Sequence, residues 1–174
     1  MATNRKLGKT TDIRMSMLKN LTTDLIWHEK IETTEARAKE VKAIADSLIA
    51  LAIKEKDNYE NAEKIVIKAK TDGKGNKEMK VAKTKAGKEY LVVDKEKKTV
   101  KVKKDKPSKL NARRKMMTKL NKVKDSDGNK IDLTEKLFNE IATKYAKKVG
   151  GYTQIIKKGE RRGDGAETVI LKLL

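Results

Sequence analysis

Apolar residues recur every three to four positions in four stretches of the chain, which is the spacing of amphipathic helices. The first helix is predicted from the capping residues 10–12 to Ile26. Its apolar stripe consists of Ile13, Met17, Leu18, Leu21 and Leu25. The second helix follows the cap Thr33-Thr34 and ends by residues 56–58. Its apolar face consists of Val41, Ile44, Ala45, Leu48, Leu51 and Ala52.

Two further helices are predicted in the second half of the chain. The third runs from about Ser108 to Val123, with Leu110, Met116, Met117, Leu120 and Val123 facing inward. The fourth begins at Asp132, whose spacing to Glu135 fits a capping box, and ends at Gly150-Gly151. Its buried face consists of Leu133, Leu137, Phe138, Ile141, Ala142 and Tyr145.

Three short strands are predicted beside these helices. Residues 27–33 alternate in polarity, with Ile31 as the inward residue. Residues 152–156 and 168–173 form a hairpin across a glycine-rich, charged loop, with Val169, Leu171 and Leu173 on one face. About four helices on one face of a small three-stranded sheet make a two-layer α/β body.

The spacing of apolar residues changes between Glu60 and Pro107. Short apolar runs at 65–67, 79–81, 90–93 and 99–102 are separated by turn-forming residues, including 94–97. This pattern predicts an antiparallel β meander of four half-exposed strands with little core. The fold class is therefore α+β. We divide the chain into a basic N-terminal arm at 1–9, the α/β body at 10–59 and 108–174, and an inserted lysine-rich β module at 60–107.

Charge adds the first indication of a partner. The 174 residues include 44 Lys+Arg and 25 Asp+Glu, a formal net charge of +19. Residues 60–109 carry 17 Lys and 8 Asp+Glu, so +9 lies there and +10 on the remainder. An isolated fold with this charge would repel itself, which indicates a polyanionic partner. The arm, which lacks apolar periodicity, is expected to be extended and to order only against that partner.

Residues for catalysis or metal binding are scarce. The chain has no cysteine and one histidine, His28, and no serine has the local sequence of a nucleophile elbow. Residues 125–130 resemble the start of a calcium loop, but Lys130 and Lys136 occupy the sixth and twelfth positions, where ligands or glycine are needed. No apolar run has the length of a membrane span or signal peptide. We expect a cytoplasmic protein that is not an enzyme and needs no cofactor, small-molecule substrate or membrane.

The outward-facing basic residues form two candidate binding groups. The first joins the arm, the first helix and the start of the third helix: Arg5, Lys6, Lys9, Arg14, Lys19, Arg113, Arg114 and Lys115. The second follows Gly150-Gly151: Tyr152, Lys157, Lys158, Arg161 and Arg162. Glycines let a backbone approach phosphates, and a tyrosine can stack on a base or sugar. Composition favours a nucleic acid but does not separate RNA from DNA.

Two other classes of protein have a similar positive charge. A free DNA-binding or nucleoid-compacting protein would need a dimerisation surface or a groove-reading helix, and neither is evident in the sequence. An RNA-modifying enzyme would need a nucleotide loop, a metal cluster or a histidine pair, which the sequence lacks.

Several short blocks of sequence follow one another in a recognisable order. The first half carries residues 5–8 (RKLG), 20–26 (NLTTDLI), 31–34 (IETT), 38–40 (AKE) and 48–52 (LIALA). The second half carries 112–114 (ARR), 137–138 (LF), 150–157 (GGYTQIIK) and 161–164 (RRGD). In order and spacing these blocks resemble the bacterial large-subunit ribosomal protein seventeen family. The resemblance covers about residues 3–57 and 108–174, whereas the inserted module has no counterpart in the short form of the family.

This resemblance implies a structural protein that binds large-subunit rRNA on the solvent side, near the peptide exit, beside neighbouring large-subunit ribosomal proteins. The family's rRNA contacts would fall on the two basic groups named above, apart from Lys115. The resemblance therefore gives an identity to the polyanion that the charge had already indicated.

Overall fold

The computed structural model describes residues 5–72, 76–85, 87–125 and 127–174. Backbone contacts divide the chain into two compact units. The body comprises residues 1–58 and 105–174, and the insertion comprises residues 59–104. Residues 1–4 of the predicted arm and parts of the predicted turns at 72–76, 86–87 and 125–129 lie outside the described residues.

The body contains both helices and strands, which confirms the α+β class. Its first part is α1 (Thr11–His28), β1 (Lys30–Thr34) and α2 (Glu35–Glu55). After the insertion come α3 (Pro107–Lys119), the strand pair β6 (Val123–Lys124) and β7 (Lys130–Ile131), and α4 (Leu133–Lys136). A π-helical segment (Leu137–Ile141) and α5 (Ala142–Lys144) continue α4, and β8 (Thr153–Glu160) and β9 (Glu167–Leu173) end the chain.

The body sheet is antiparallel in the order β1-β9-β8. In the central strand β9, Val169, Leu171 and Leu173 are buried and alternate with less buried neighbours, as predicted for a strand with one face on the core. Ile31 and Ile155 both lie opposite Leu171 across the sheet. Helix α2 packs against all three strands, which gives the two layers.

The hydrophobic core is formed by the body alone among the described residues. Its large, fully buried side chains come from α1, α2, α3, the π-helical segment and β9: Leu25, Ile26, Val41, Ile49, Met116, Leu137, Ile141, Val169 and Leu171. Asp132 caps α4, because its Oδ1 accepts hydrogen bonds from the backbone N–H of Thr134 at 2.9 Å and of Glu135 at 3.4 Å. The cap that the sequence predicts at Asp132 is confirmed.

The first strand begins later than the sequence predicts. Helix α1 continues through Trp27 and His28 and ends where Glu29 adopts a left-handed φ of 62°. The N–H of Glu29 donates to the Leu25 carbonyl at 2.8 Å, and the Glu29 carbonyl accepts from Leu173 at 2.8 Å. This reversal places the start of β1 at Lys30 rather than Trp27.

Three of the predicted inward residues are exposed. Ile13 of α1 and Leu110 and Met117 of α3 have large exposed side chains. Helix α3 buries Ala112 and Met116 instead and ends at Lys119, four residues before the predicted end. Because Val123 belongs to β6, the apolar stripe of α3 is shorter and turned toward Ala112. The fourth helix also ends early, with Tyr145 as its cap rather than Gly150-Gly151.

The insertion holds four strands, but their pairing differs from the predicted meander. Its strands are β2 (Tyr59–Ala69), β3 (Met79–Lys83), β4 (Glu89–Val93) and β5 (Lys95–Asp105), which reaches one residue into the body. Strand β2 pairs with β5, and β3 pairs antiparallel with β4. The reason is at residues 94–97, where the sequence predicts a turn. Strand β4 instead runs almost directly into β5, so these two strands cannot fold back on each other.

Asp94 organises the centre of the insertion. Its backbone N–H donates to the Glu78 carbonyl at 2.9 Å, and its carbonyl accepts from the Lys70 N–H at 2.9 Å. Its carboxylate lies 2.8 Å from Lys80 Nζ and 3.5 Å from Lys70 Nζ. The hydrogen bond from Lys80 lowers the pKa of Asp94 below its ordinary value. The backbone of Asp94 therefore connects Lys70, just after β2, with Glu78, just before β3.

Candidate nucleic-acid interface

Three basic residues of the C-terminal hairpin, Lys157, Lys158 and Arg161, are paired with acids. Lys157 Nζ lies 3.4 Å from the Glu167 carboxylate, and Lys158 Nζ lies 2.7 Å from that of Glu32 on β1. A bulge between Lys157 and Gly159 shifts the register of β8 against β9 just before the tip. All these side chains are exposed, so the pairs are in water and can exchange partners at little cost.

At the tip of this hairpin, Arg161 forms an ion pair with Asp164. Arg161 Nε donates to Asp164 Oδ1 at 2.8 Å, and the Ala166 N–H donates to the same oxygen at 3.3 Å. The arginine, helped by that backbone N–H, lowers the pKa of Asp164 to about 2. Arg162 is exposed and has no ion pair with any described residue. The tip therefore presents Arg162 as its available cation, while Arg161 shapes the turn.

Tyr152 does not lie where the sequence predicts a stacking surface. Its ring is 4% exposed, 5.7 Å from the ring of Tyr145, and its hydroxyl donates to the Lys148 carbonyl at 3.2 Å. A base could stack on this ring only if the ring left the core. Tyr152 therefore contributes to the packing of the sheet against the helices.

Arg113, at the start of the basic run of α3, is also held inside the body. Its guanidinium lies 2.8 Å from Glu135, 3.1 Å from Asp105 and 3.6 Å from Asp132. It also lies over the ring of Phe138, 5.5 Å from the centroid. Burial lowers the pKa of Arg113, but the carboxylates of Glu135 and Asp105 outweigh burial and the pKa is raised above its ordinary value. Arg113 therefore ties α3 to α4.

The next residues of α3 are available to a partner. Arg114 and Lys115 are exposed, and neither forms an ion pair with a described residue. Lys115 lines a groove of about 410 Å³ between α2 and α3. Lys119 lies four residues further along, on the same helix face, and lines that groove as well.

A second groove lies between α1 and α3. It has a volume of about 350 Å³, and Lys19 of α1 lines it together with Lys119. Lys119 was not among the predicted binding residues, although its four-residue spacing from Lys115 was visible in the sequence. Arg14, five residues before Lys19 on α1, forms no ion pair with a described residue.

The described part of the N-terminal arm departs from the expected extended form. Lys9 N–H donates to the Lys6 carbonyl at 3.2 Å, which closes a turn around Leu7 and Gly8. Leu7 is half-buried against the core. Arg5, Lys6 and Lys9 remain exposed around this anchor. The anchor limits how far the three cations can lie from the start of α1.

No metal-ligand cluster and no membrane-spanning helix occurs among the described residues. No group of three or more His, Asp or Glu side chains is arranged to hold a metal ion there. Nor is any described helix long and apolar enough to cross a bilayer.

Comparison with known proteins identifies the family. The sequence model described as ribosomal protein L17 matches residues 17–174, which is most of the chain. The chain belongs to the ribosomal protein L17 family. The resemblance seen in the separate sequence blocks is thereby confirmed.

Several relatives named for this family align with the chain over its full length. A protein of Acetivibrio thermocellus is 54% identical over 174 residues, and one of Ruminiclostridium cellulolyticum is 53% identical, each over 100% of both chains. A protein of Clostridium botulinum is 35% identical over all of both chains. All three are named large ribosomal subunit protein bL17. Because these alignments span both chains entirely, the region of the insertion is not peculiar to this chain.

Proposed function

We propose that this chain is a structural, non-catalytic constituent of the bacterial large ribosomal subunit in the cytoplasm. It binds large-subunit rRNA and contacts neighbouring ribosomal proteins. Membership of the L17 family supports the assembly, and the net charge of +19 supports the polyanionic partner.

The observation that carries the rRNA proposal is the difference between two basic surfaces of the body. Lys157, Lys158 and Arg161 of the hairpin have acidic partners within the fold. The basic residues on α1 and α3 that form no ion pair with described residues are Arg14, Lys19, Arg114, Lys115 and Lys119. Unneutralised lysines and arginines bind phosphates with release of counterions. We therefore place the main rRNA contact on α1 and α3.

The arm and the hairpin tip extend this contact in our proposal. Arg5, Lys6 and Lys9 precede α1 and add charge at its start. Arg162 is the unpaired cation at the hairpin tip, and Lys157, Lys158 and Arg161 can exchange exposed carboxylates for phosphates. Arg113 takes an indirect part, because it positions α3 and Arg114 rather than reaching the RNA.

In our proposal, the insertion contacts other components of the large ribosomal subunit. Its β3–β4 hairpin exposes Met79, Val81 and Leu91 on one face, where Met79 lies opposite Val93 and Val81 opposite Leu91. Two-stranded ribbons that bury little are marginally stable alone. A surrounding assembly would cover these side chains and the lysines beside them.

Binding to large-subunit rRNA fragments at several salt concentrations tests the proposal. We expect log affinity to fall linearly with log salt by about 0.7–0.9 for each phosphate contact. Replacing Arg14, Lys19, Arg114 and Lys115 together by Gln should reduce that slope by about three units. A flat salt dependence contradicts rRNA binding, and equal affinity for duplex DNA of the same length favours a free DNA-binding protein instead. Cosedimentation of the native protein with large subunits, lost only at high salt, tests the assembly.

A further inference from the structure

We propose that the groove between α1 and α3 holds one unstacked nucleotide of the RNA, with its base on an apolar floor and its phosphates on Lys19 and Lys119. This inference rests on the proposed rRNA function and deepens it. It adds a base-binding subsite to a surface so far assigned only to phosphates.

The lining of the groove has the composition that a nucleotide needs. Its apolar part comes from α1 and α2 and consists of Met15, Leu18 and Ile44. Its polar part consists of Ser16, Lys19, Thr22, Thr118, Lys119 and Asn121. Single-stranded RNA is recognised through bases that are turned out of the helix and laid on apolar or aromatic side chains.

The charge of the groove favours RNA over a protein partner. Among its described lining residues, and among those of the adjoining α2–α3 groove, there is no Asp or Glu. The chain has 25 acidic residues, and many lysines elsewhere are paired with them. In this place two lysines face one opening without neutralisation, which suits the phosphates on either side of a base.

The position of Met15 indicates that the groove binds a base and not only a phosphate. Its side chain lines the groove and is 46% exposed although it is large and apolar. The thioether of methionine makes favourable contacts with aromatic rings, and a nucleobase is such a ring. This exposed apolar side chain therefore has a role when a base covers it.

The walls of the groove are held in position before any ligand binds. The hydroxyl of Thr23 donates to the Lys19 carbonyl at 2.7 Å and accepts from the Asn121 N–H at 2.9 Å. The side-chain amide of Asn121 also donates to that of Asn20. These bonds fasten the end of α3 to α1, so little ordering would oppose binding. The volume of about 350 Å³ lies in the lower part of the range of about 300–1,000 Å³ typical of small-ligand pockets.

A charge-neutral substitution separates this subsite from general rRNA binding. Thr118→Phe fills the groove, whereas Thr143→Phe makes the same change at another exposed helical threonine, whose hydroxyl donates to the carbonyl of Asn139. For rRNA we expect Thr118→Phe to lower affinity on the order of tenfold with an unchanged salt slope, since no charge is removed. Thr143→Phe should bind as the unaltered protein does. Ser16→Phe provides a second filling variant if Thr118→Phe does not fold.

Ultraviolet crosslinking of intact large subunits, followed by mass spectrometry, gives the direct readout. We expect a nucleotide adduct on the peptide that contains Met15 and Ser16, and its loss in subunits that carry the filling variant. Filling variants with full affinity, or a crosslink from the groove to a neighbouring protein, overturn the subsite while rRNA binding stands. Failure of the unaltered protein to bind rRNA would instead overturn the proposed function.

Discussion

The guanidinium of Arg113 lies 2.8 Å from the carboxylate of Glu135, and this pair joins α3 to α4. Asp105 and Asp132 lie at 3.1 Å and 3.6 Å from the same guanidinium, and its side chain is only 18% exposed. Arg114, the next residue, is exposed. Two consecutive arginines therefore have different roles in the fold, although the sequence presents them as one basic run.

Arg113→Ala is expected to destabilise the body. It removes charge-assisted hydrogen bonds, each worth about 1.5–3 kcal/mol, and leaves three carboxylates close together. Thermal unfolding followed by circular dichroism should show a lower midpoint. For the molecules that remain folded, the salt slope of rRNA binding should change little.

Arg114→Ala is the matched control, because it removes the same side chain from the adjacent position. We expect unchanged unfolding and a salt slope reduced by about 0.7–0.9. If the two variants instead had equal effects on both measurements, the division of roles between Arg113 and Arg114 would be wrong.

The cap of α4 gives a pH-dependent prediction. Burial raises the pKa of Asp132, but hydrogen bonds from Thr134 and Glu135 outweigh burial and lower it overall. A lowered folded-state pKa means that the stabilising effect is complete above the unfolded value of about 3.9 and is lost as the pH falls through the folded value. We expect the cap to contribute at pH 6 and to fail in strong acid.

Two substitutions separate the shape of the cap from its charge. Asp132→Ala should cost about 0.5–2 kcal/mol of unfolding free energy at pH 6, because the N-terminal N–H groups of α4 lose their acceptor. Asp132→Asn keeps an acceptor and should lose less, with a smaller loss between pH 6 and pH 3 than the unaltered protein shows. Urea unfolding at both pH values measures this difference, and identical pH dependence in the Asn variant would refute it.

Local signals explain which parts of the fold the sequence predicts well. The cap at Asp132 and the alternation of Val169, Leu171 and Leu173 depend on neighbouring residues, and the structure confirms both. The sequence wrongly predicts that Leu110 and Met117 face inward. Helix α3 instead buries the face that carries Ala112, and alanine is a weaker hydrophobic signal in the sequence than leucine or methionine.

Long-range partners explain the remainder. The acidic partners of Arg113 include Asp132 and Glu135, which lie 19 and 22 positions further along the chain. The sequence around the arginine therefore does not indicate that it is paired. Likewise, β2 pairs with β5, which is distant in sequence, and hydrogen bonds connect Lys70, Glu78 and Asp94 across the chain. The grooves beside Lys119 arise from the packing of three helices and have no counterpart in sequence periodicity.

Tyr152 offers a test of core packing against base stacking. Tyr152→Leu keeps an apolar side chain in the core but removes the aromatic ring and the hydroxyl bond to Lys148. We expect a lower unfolding temperature and, below it, unchanged affinity for rRNA. A stacking contact, by contrast, would lose about 1–3 kcal/mol of binding free energy on removal of the ring. Calorimetric unfolding and filter binding on the same preparation decide between these roles.

Deletion of the insertion tests whether the body folds alone. The Lys106 N–H donates to the Asn58 carbonyl at 3.3 Å, so the two ends of the body already meet. Residues 59–104 can therefore be replaced by Asn-Gly, the sequence of a tight two-residue turn. Because the core contains no described residue of the insertion, we expect cooperative unfolding at a similar temperature. A molten or aggregated deletion protein would contradict the division into two units.

The same deletion measures what the insertion contributes to the partner. It removes 15 Lys and 7 acidic residues, a net +8, and we expect a shallower salt dependence of rRNA binding. Two double variants of the full chain, one that removes charge and one that does not, then locate the contact. Lys85→Gln with Lys88→Gln removes cations near the β3–β4 turn, whereas Val81→Thr with Leu91→Thr alters an exposed apolar cross-strand pair. A salt slope reduced by about 1.4–1.8 in the first variant places this end on phosphates, whereas poor incorporation into subunits only in the second would place it on a neighbouring protein.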